Sequence, residues 1–250
     1  MLRKIWVLIA CLLFKLSANA DCMSIGLWLL TSESTLNQNS IIIIEGYANS
    51  QKIIFGLNKK YPTYLLSGLK KVKLNVREIL VVQFELSQAI LVPEEKLIVG
   101  RFYTMYIDNL PEGEIFQRFN KLTQKSENIN FKVVAKTDTT KPILKSRPKV
   151  IKKTLHQYGC GPEAYVVFDF PIKDSSDVYV KTTVKNMKLG VETVFYIKPS
   201  DNKIEIGHGM CSGAFKFDKG KNYEVEFSII DAYGNITPWS GKRIMFTKPT

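Results

Sequence analysis

The stretch "GHGMCSG", residues 207–213, places a histidine and a cysteine among three glycines. A second pair of the same types lies upstream, so the mature chain offers four candidate ligands: His156, Cys160, His208 and Cys211. Two thiolates and two imidazoles suit the tetrahedral shell of Zn²⁺, so a Cys2His2 metal site is one prediction. Two cysteines flanked by glycines equally suit a disulfide in an oxidising compartment.

The expected strand register favours the disulfide over the metal site and over unbridged thiols. If "KIEIGHGM" pairs antiparallel with "AYVVFDF", Cys211 comes to lie beside Cys160. If "GAFKF" were the partner instead, the two sulfurs would fall at opposite ends, beyond the ~7 Å between Cα atoms that a bridge allows. We therefore expect a Cys160–Cys211 disulfide. Cys22 is left over, and it either keeps a free thiol or cross-links to another chain.

The beginning of the chain has the three parts of a secretory signal peptide. Met1–Lys4 is basic, Ile5–Phe14 is almost wholly apolar, and Ala18–Ala20 has the small-x-small form of a cleavage site. We predict cleavage after Ala20 and an exported mature chain, in the periplasm, on the outer surface or secreted. The apolar run is shorter than the roughly 20 residues that span a bilayer, and we expect no membrane-spanning segment in the mature chain.

The chain is strongly basic, with a formal net charge of +12. Removal of Arg3, Lys4 and Lys15 with the signal lowers this charge to +9. A basic exported protein is attracted to anionic surfaces, although a lysine-rich solvated surface would have the same composition. The one cluster of positive charge, Lys136–Lys153, contains no aromatic residue, which argues for a linker rather than for a specific nucleic-acid partner.

Short β-branched or aromatic runs bounded by turn residues recur along the chain, as in "SIIIIEGY" (40–47) and "AYVVFDFPI" (164–172). Many such strands at even spacing predict an all-β fold of sandwiches or barrels. Helical periodicity is confined to "PEGEIFQRFNKLTQK" (111–125), and "PSDNK" (199–203) predicts a hairpin turn. The expected organisation is a signal peptide (1–20), a first domain (21–135), a basic linker with the entry to the first strand (136–153) and a second domain (154–250).

An internal echo relates the two domains. "LIVGRFYTMYI" and "FDKGKNYEVEF" share an apolar residue, a glycine, a tyrosine and an alternating strand at the same spacing. The glycines are Gly100 and Gly220, and the tyrosines are Tyr103 and Tyr223. We predict structural roles for all four, with each tyrosine ring buried at a corner and its hydroxyl bonded to the backbone upstream.

Three segments resemble known modules. "ILVPEEKLIVGRFYTMYI" resembles the end of the bacterial Ig-like domains of surface-layer and secreted proteins, and "DTTKPIL" (138–144) resembles the entry to another. "YEVEFSIIDAYGNITPWS" is similar to the last strands of fibronectin type III or Ig-like repeats. The resemblance implies two tandem Ig-like or fibronectin III-like β-sandwich domains, which serve mostly as spacers, adhesins or binding accessories and share no catalytic residues.

The sequence predicts no enzyme and no cofactor. It contains no Gly-x-Ser-x-Gly elbow, no His-Glu-x-x-His helix, no phosphate-binding glycine loop and no Cys-x-x-Cys pair. The favoured function is a structural or protein-interaction module that docks to another component of the bacterial cell envelope. The alternative is a binder of carbohydrate or surface polymer that uses exposed rings, for which Trp28, Tyr158 and Trp239 are the candidates.

Overall fold

The computed structural model describes residues 22–31, 34–38, 40–120, 122–135, 138–218 and 220–250. The predicted signal peptide and its cleavage site lie outside these described residues. Among the described residues, no helix has both the length and the apolar character needed to cross a membrane.

The described chain is almost entirely β, with 54% of residues in strands and 3% in helix, which confirms the all-β prediction. The N-terminal half, residues 22–135, contains β1 (Ile25–Leu29), β2 (Thr35–Leu36), β3 (Ile42–Ala48), α1 (Gln51–Gly56), β4 (Thr63–Ser67), β5 (Lys70–Val81), β6 (Leu86–Pro93), β7 (Phe102–Ile107), β8 (Arg118–Asn120), β9 (Lys125–Glu127) and β10 (Asn130–Val133). The C-terminal half, residues 138–250, contains β11 (Ile143–Leu144), β12 (Lys149–Tyr158), β13 (Gly161–Asp169), β14 (Ile172–Lys173), β15 (Val178–Asn186), β16 (Glu192–Ile197), β17 (Lys203–His208), β18 (Asn222–Asp231), β19 (Ile236–Thr237) and β20 (Ile244–Thr247).

The N-terminal half is organised around the long strand β5. The strand order is β1-β3-β6-β5-β4-β7-β10-β2. The first four residues of β5 pair with β4, and the rest of the strand pairs with β6 through a register irregularity between Val76 and Glu78. A bulge of this kind bends a strand and lets it pass from one sheet to the next. The two parts of the sheet thereby enclose one apolar core.

The isoleucine run of β3 is apolar throughout because both faces of the strand are buried. Ile42 and Ile44 point into the core of the N-terminal half. Ile41 and Ile43 point the other way, into a cluster with Tyr179 and other residues of the C-terminal half. Alternate side chains of a strand lie on opposite faces, so a continuous apolar run requires a core on each side.

The C-terminal half is a sandwich of two packed sheets. One sheet has the order β12-β13-β17, and the other has the order β16-β15-β18, with β19 and β20 both paired to the far edge of β18. Their inner faces meet in one core, where the ring of Phe168 packs edge-on against Phe227 with centroids 5.6 Å apart. Alternating inward-facing residues from two facing sheets are the usual construction of a β-sandwich.

The two halves meet in a buried junction with polar contacts of its own. Gln88 is fully buried; its Nε2 donates to the carbonyl of Tyr196 at 2.9 Å, and the amide of Tyr196 donates to its Oε1 at 2.7 Å. The same Nε2 donates to Glu45 Oε1 at 2.7 Å. Lys181 and Glu78 form an ion pair of 2.6 Å across the junction. Because buried polar groups cost free energy when unpaired, the hydrogen bonds of Gln88 fix how the halves meet.

The helix predicted over residues 111–125 does not form, and β8 and β9 occupy the segment as a hairpin. The side chain of Asn120 accepts hydrogen bonds from the amides of Leu122 and Thr123, which competes with a helical backbone. The apolar face of a helix over these residues would also have to pack against another part of the protein. Instead Phe119 is 55% exposed and Leu122 is 95% exposed.

One smaller prediction also needs correction. The segment 136–153, expected as a basic linker with the entry to the first strand, contains β11 and the start of β12, which begins at Lys149 and pairs along its length with β13. The turn at "PSDNK" forms, with positive φ at Asp201 and Asn202, but it does not close a ladder. The strands on either side, β16 and β17, belong to opposite sheets, so the turn carries the chain across the sandwich.

The junction carboxylate gives a pH-dependent prediction. Desolvation raises the pKa of Glu45, and the hydrogen bond from Gln88 only partly opposes this shift. Because the pKa of Glu45 is higher in the folded chain than in the unfolded chain, its contribution to the free energy of unfolding depends on pH. That contribution is complete below the unfolded-state pKa of about 4.3 and is lost as the pH rises through the folded-state pKa. We expect Glu45→Gln to raise the free energy of unfolding at pH 7, because the amide oxygen still accepts from Gln88.

This gain should shrink as the pH falls below about 4, where the wild-type carboxyl is protonated in both states. Urea titrations of both proteins at pH 7 and pH 3.5 measure the difference. Glu112→Gln, at an exposed position, is the matched control and should change nothing at either pH. A Glu45→Gln protein less stable than wild type at pH 7 would contradict the assignment.

Candidate functional site

The glycines of residues 207–213 allow the chain to fold back tightly on its neighbours. A Cβ at Gly207, where φ is +153°, would lie 1.9 Å from the carbonyl oxygen of Ala164. A Cβ at Gly213 would lie 2.4 Å from the Cα of His208. The turn is closed by hydrogen bonds from the amide of Gly209 to Ser212 O and from the amide of Phe215 to Gly207 O. The motif is therefore first of all a compact turn.

The predicted register of this turn is correct. Strand β17 pairs antiparallel with β13, with His208 opposite Ala164 and Lys203 opposite Asp169. Cys211 accordingly emerges close to Cys160, which lies in the two-residue connection between β12 and β13. The three sulfurs of Cys22, Cys160 and Cys211 all lie within 4.8 Å of one another.

The predicted bridge is nevertheless wrong, because the disulfide joins Cys22 to Cys211. Their Cα atoms are 5.7 Å apart, and 189 residues separate them in sequence. Cys160 carries a thiol outside the bridge. The predicted register brings Cys160 and Cys211 together correctly, but Cys22, expected to stay free or to cross-link to another chain, is the partner of Cys211. Packing of the N-terminal half brings Cys22 to the same corner, where it contacts the core of the C-terminal half.

The predicted Cys2His2 ligand set is not assembled. Among the described residues, the cysteine-containing group close enough to share an ion consists of three cysteines and no histidine. His208 is buried, its Nδ1 donates to the carbonyl of Gly209 at 2.8 Å, and its ring packs edge-on against Phe84. His156 is exposed on β12, with its ring 6.3 Å from that of Tyr158. His208 is thus part of the packed interior, whereas His156 faces solvent.

Phe84 is the residue of this corner that the sequence did not reveal. It belongs to the N-terminal half, and it pairs with Gly213 through the hydrogen bond from the amide of Gly213 to its carbonyl oxygen at 3.1 Å. The ammonium of Lys216 lies 4.7 Å from the centre of its ring. The turn at 207–213 is thus a contact between the halves, which explains its glycines better than metal ligation does.

The echoed tyrosines occupy equivalent corners in the two halves. Tyr103 and Tyr223 are both fully buried. The hydroxyl of Tyr103 accepts from the amide of Ile98 at 3.2 Å, and that of Tyr223 donates to the carbonyl of Asp218 at 3.2 Å. Each contact reaches five residues upstream, across Gly100 (φ +82°) and Gly220 (φ +125°) respectively. These four residues thus close corners of the fold.

We expect Tyr103→Phe and Tyr223→Phe each to lower the free energy of unfolding by about 1 kcal/mol, since each removes one hydrogen bond and leaves the ring in place. Tyr106→Phe is the control, because the ring of Tyr106 stacks on Tyr64 and a phenylalanine ring keeps this contact. Urea titration followed by tryptophan fluorescence measures the loss. Equal stability of all three variants would show that the hydroxyls do not support the corners.

The three aromatic rings that were candidates for binding a sugar each contact different residues. Trp28 stacks on Tyr47 at 5.7 Å, and its ring lies over Gly26 of its own strand. Trp239 packs between Phe227 and the guanidinium of Arg147, beside a cavity of about 440 Å³. Tyr158 makes its ring contact with His156, as described above. No ring contact in the described chain joins two of the three.

A group of carboxylates at the entry to the C-terminal half was not predicted. The carboxylate oxygens of Asp138, Asp174 and Asp231 lie within 4.8 Å of one another, close enough to share one cation. Asp231 is buried, and burial raises the pKa of its carboxyl. It accepts hydrogen bonds from the amides of Tyr233 and Asn235. These bonds organise the loop after β18.

The chain is similar to some solved structures, but no protein-family model and no curated protein matches it. Among solved structures it is similar to a type I pullulanase from Bacillus subtilis in complex with maltose, with 11% identity and a TM-score of 0.26 over 90% of this chain. It is also similar to a pullulanase from Anoxybacillus sp. and to that enzyme in complex with maltotriose, with 8% and 9% identity, TM-scores of 0.25 and 80% of this chain covered.

The chain spans 24% of the length of each of these structures. At such TM-scores the similarity carries no argument about activity or substrate. What the molecule itself defines is an all-β protein whose two halves share a buried junction and a cystine.

Proposed function

We propose that this chain is an exported, non-catalytic protein with two Ig-like β-sandwich units, which acts as a structural or protein-interaction module at the bacterial cell envelope. The strand orders of the C-terminal half, three strands facing a larger sheet, support the Ig-like and fibronectin III-like assignment. The paired corner tyrosines support a common origin for the two units.

The junction is the observation that carries this proposal. Gln88 is buried and bonded to both backbone groups of Tyr196, and the Cys22–Cys211 bridge joins the halves covalently. Ordinary domain interfaces within a chain permit relative motion unless they are large and apolar. A buried interface closed by a disulfide holds the two sandwiches in one orientation, which suits a spacer or a docking platform. Disulfides also persist in the oxidising compartments to which export leads.

The β8–β9 hairpin offers a contact surface for a protein partner. Its exposed apolar residues include Phe119 (55%) and Leu122 (95%), and Ile115 (64%) precedes it. We propose that these side chains form one patch, since contiguous exposed apolar surface is typical of interaction sites. An exposed apolar residue of the other half, Leu189 (50%), provides a matched position for comparison.

The experiment has two arms, both in the native host with a tagged full-length chain. In the first, we expect the protein outside the cytoplasm, beginning at Asp21 and with Cys22 and Cys211 oxidised, whereas Ala18→Arg/Ala20→Arg blocks its processing. In the second, a photo-cross-linking residue at Phe119 should capture an envelope protein that the same residue at Leu189 does not. An uncleaved, reduced, cytoplasmic chain would refute export; identical adducts at both positions would refute specific docking.

A carbohydrate or surface-polymer ligand is the second candidate, favoured by the exposure of Trp28 (40%) and Tyr158 (47%). Aromatic rings bind sugars through their apolar faces, so such a role requires accessible rings. Affinity electrophoresis through envelope polysaccharide tests it. Retardation that Trp28→Ala or Tyr158→Ala abolishes would support this function, and unretarded migration of the wild type would exclude it.

A further inference from the structure

The corner where the halves meet contains the Cys22–Cys211 cystine and, close to it, the thiol of Cys160. The three sulfur atoms lie within 4.8 Å of one another, and all three cysteines are partly exposed. None of the three lies within a strand: Cys22 precedes β1, Cys160 lies in the β12–β13 turn, and Cys211 follows β17. Short shifts of loop residues can therefore bring a third sulfur up to the existing bridge.

We propose that this corner is a thiol–disulfide exchange site, in which Cys160 attacks the Cys22–Cys211 bridge and releases Cys22. The thiolate of Cys160 bonds to the sulfur of Cys211 as the bond between Cys211 and Cys22 breaks. The Cys22 sulfur leaves as a thiolate and takes up the proton that Cys160 gave up. One disulfide replaces another, so the step requires no oxidant or reductant.

The register of the sheet selects Cys211 as the sulfur that is attacked. Strands β13 and β17 are hydrogen-bonded neighbours up to the Ala164–His208 pair, and the two chains stay close beyond it. A Cβ at Gly161 would lie 3.2 Å from the carbonyl oxygen of Met210, so the residues next to Cys160 and Cys211 lie side by side. Cys22 comes from the other half, and no strand pairing in the described chain joins it to either of the other cysteines. Cys22 is therefore the sulfur that is displaced when Cys160 attacks.

The exchange would change what the disulfide connects. Before it, the bridge joins the two halves; afterwards, the bridge lies within the C-terminal half and Cys22 carries a thiol. The thiol of Cys22 can attack the disulfide of a second molecule. One sulfur of that second molecule then bonds to Cys22, and its other sulfur leaves as a thiol. The corner would thus be a covalent attachment site for disulfide-containing small molecules or proteins, which goes beyond the proposed structural function.

The test follows which cysteine carries the thiol. Purified, oxidised wild-type protein is incubated at pH 8 for increasing times, quenched in acid, alkylated with N-ethylmaleimide and mapped by mass spectrometry without reduction. We expect the label to begin on Cys160 and to appear on Cys22 with time, together with a Cys160–Cys211 peptide. The rate should not depend on protein concentration, because the exchange is intramolecular. Oxidised glutathione added to the same incubation should then become attached to Cys22.

Two variants keep the test decisive. In Cys160→Ser, Cys22 should stay unlabelled at all times, because the attacking sulfur is absent. In Cys22→Ser, the two remaining sulfurs should form a bridge under mild air oxidation. The proposal is wrong if wild-type Cys22 never acquires label and Cys160→Ser behaves identically, or if label on Cys22 appears only at a rate that rises with protein concentration.

Discussion

Replacing Cys22 by serine in a Cys160→Ser background is expected to lower the free energy of unfolding by about 3–5 kcal/mol. In the chain-entropy model, a bridge between residues 189 apart in sequence removes roughly 5 kcal/mol of freedom from the unfolded chain, and measured values usually fall somewhat below this figure. The Cys160→Ser background is needed because Cys160 lies close enough to replace Cys22 as the partner of Cys211.

Urea titrations under non-reducing conditions measure this loss, with Cys160→Ser alone as the reference. Cys160→Ser itself should stay within about 1 kcal/mol of wild type, since it removes no bridge. Addition of a reductant should bring Cys160→Ser down to the stability of the double variant. If the double variant and its reference differ by less than about 1 kcal/mol without reductant, the bridge does not stabilise the folded chain.

The second large effect is expected from Gly207→Ala, which should cost more than about 3 kcal/mol or prevent folding. The new Cβ would lie 1.9 Å from the carbonyl oxygen of Ala164 and 2.8 Å from the ring of Tyr165, in a backbone conformation that alanine avoids. Because those atoms belong to the neighbouring strand, relief requires β13 and β17 to separate. The separation would also displace Cys211 and the contact with Phe84.

Gly209→Ala is the matched control within the same motif. Its Cβ would meet nothing closer than 3.6 Å, and we expect a change of no more than about 0.5 kcal/mol. Thermal unfolding of the two purified variants and wild type gives the comparison. Should Gly207→Ala fail to accumulate as soluble protein while Gly209→Ala does, the conclusion is the same. Equal stability of the two variants would mean that the approach of β13 to β17 is looser than described.

Several parts of this molecule follow from local pattern alone. The all-β character follows from short β-branched runs, because the two-residue periodicity of a strand is a property of the segment itself. The sequence also predicts the register of β13 with β17 and the corner contacts of Tyr103 and Tyr223. In each case the relevant partners lie near in sequence or on adjacent strands, so spacing predicts contact.

The helix predicted over 111–125 shows where local pattern fails. Ile115, Phe119 and Leu122 have helical spacing, but an amphipathic helix forms only where a surface receives its apolar stripe. All three side chains are exposed, and the side chain of Asn120 stabilises a turn instead. The actual helix, Gln51–Gly56, is too short to show periodicity, and it is held by the burial of Ile53 and Ile54.

The residue pattern thus predicts that the chain is built of strands and that its glycine-rich turn brings Cys160 and Cys211 together. The sulfur to which Cys211 is bonded depends on the packing of the two halves, because Cys22 arrives from a segment 189 residues away. The same holds for Phe84 and Gln88, whose partners lie in the other half of the molecule. Contacts between halves depend on how two finished surfaces fit, and no periodicity within either half encodes that fit.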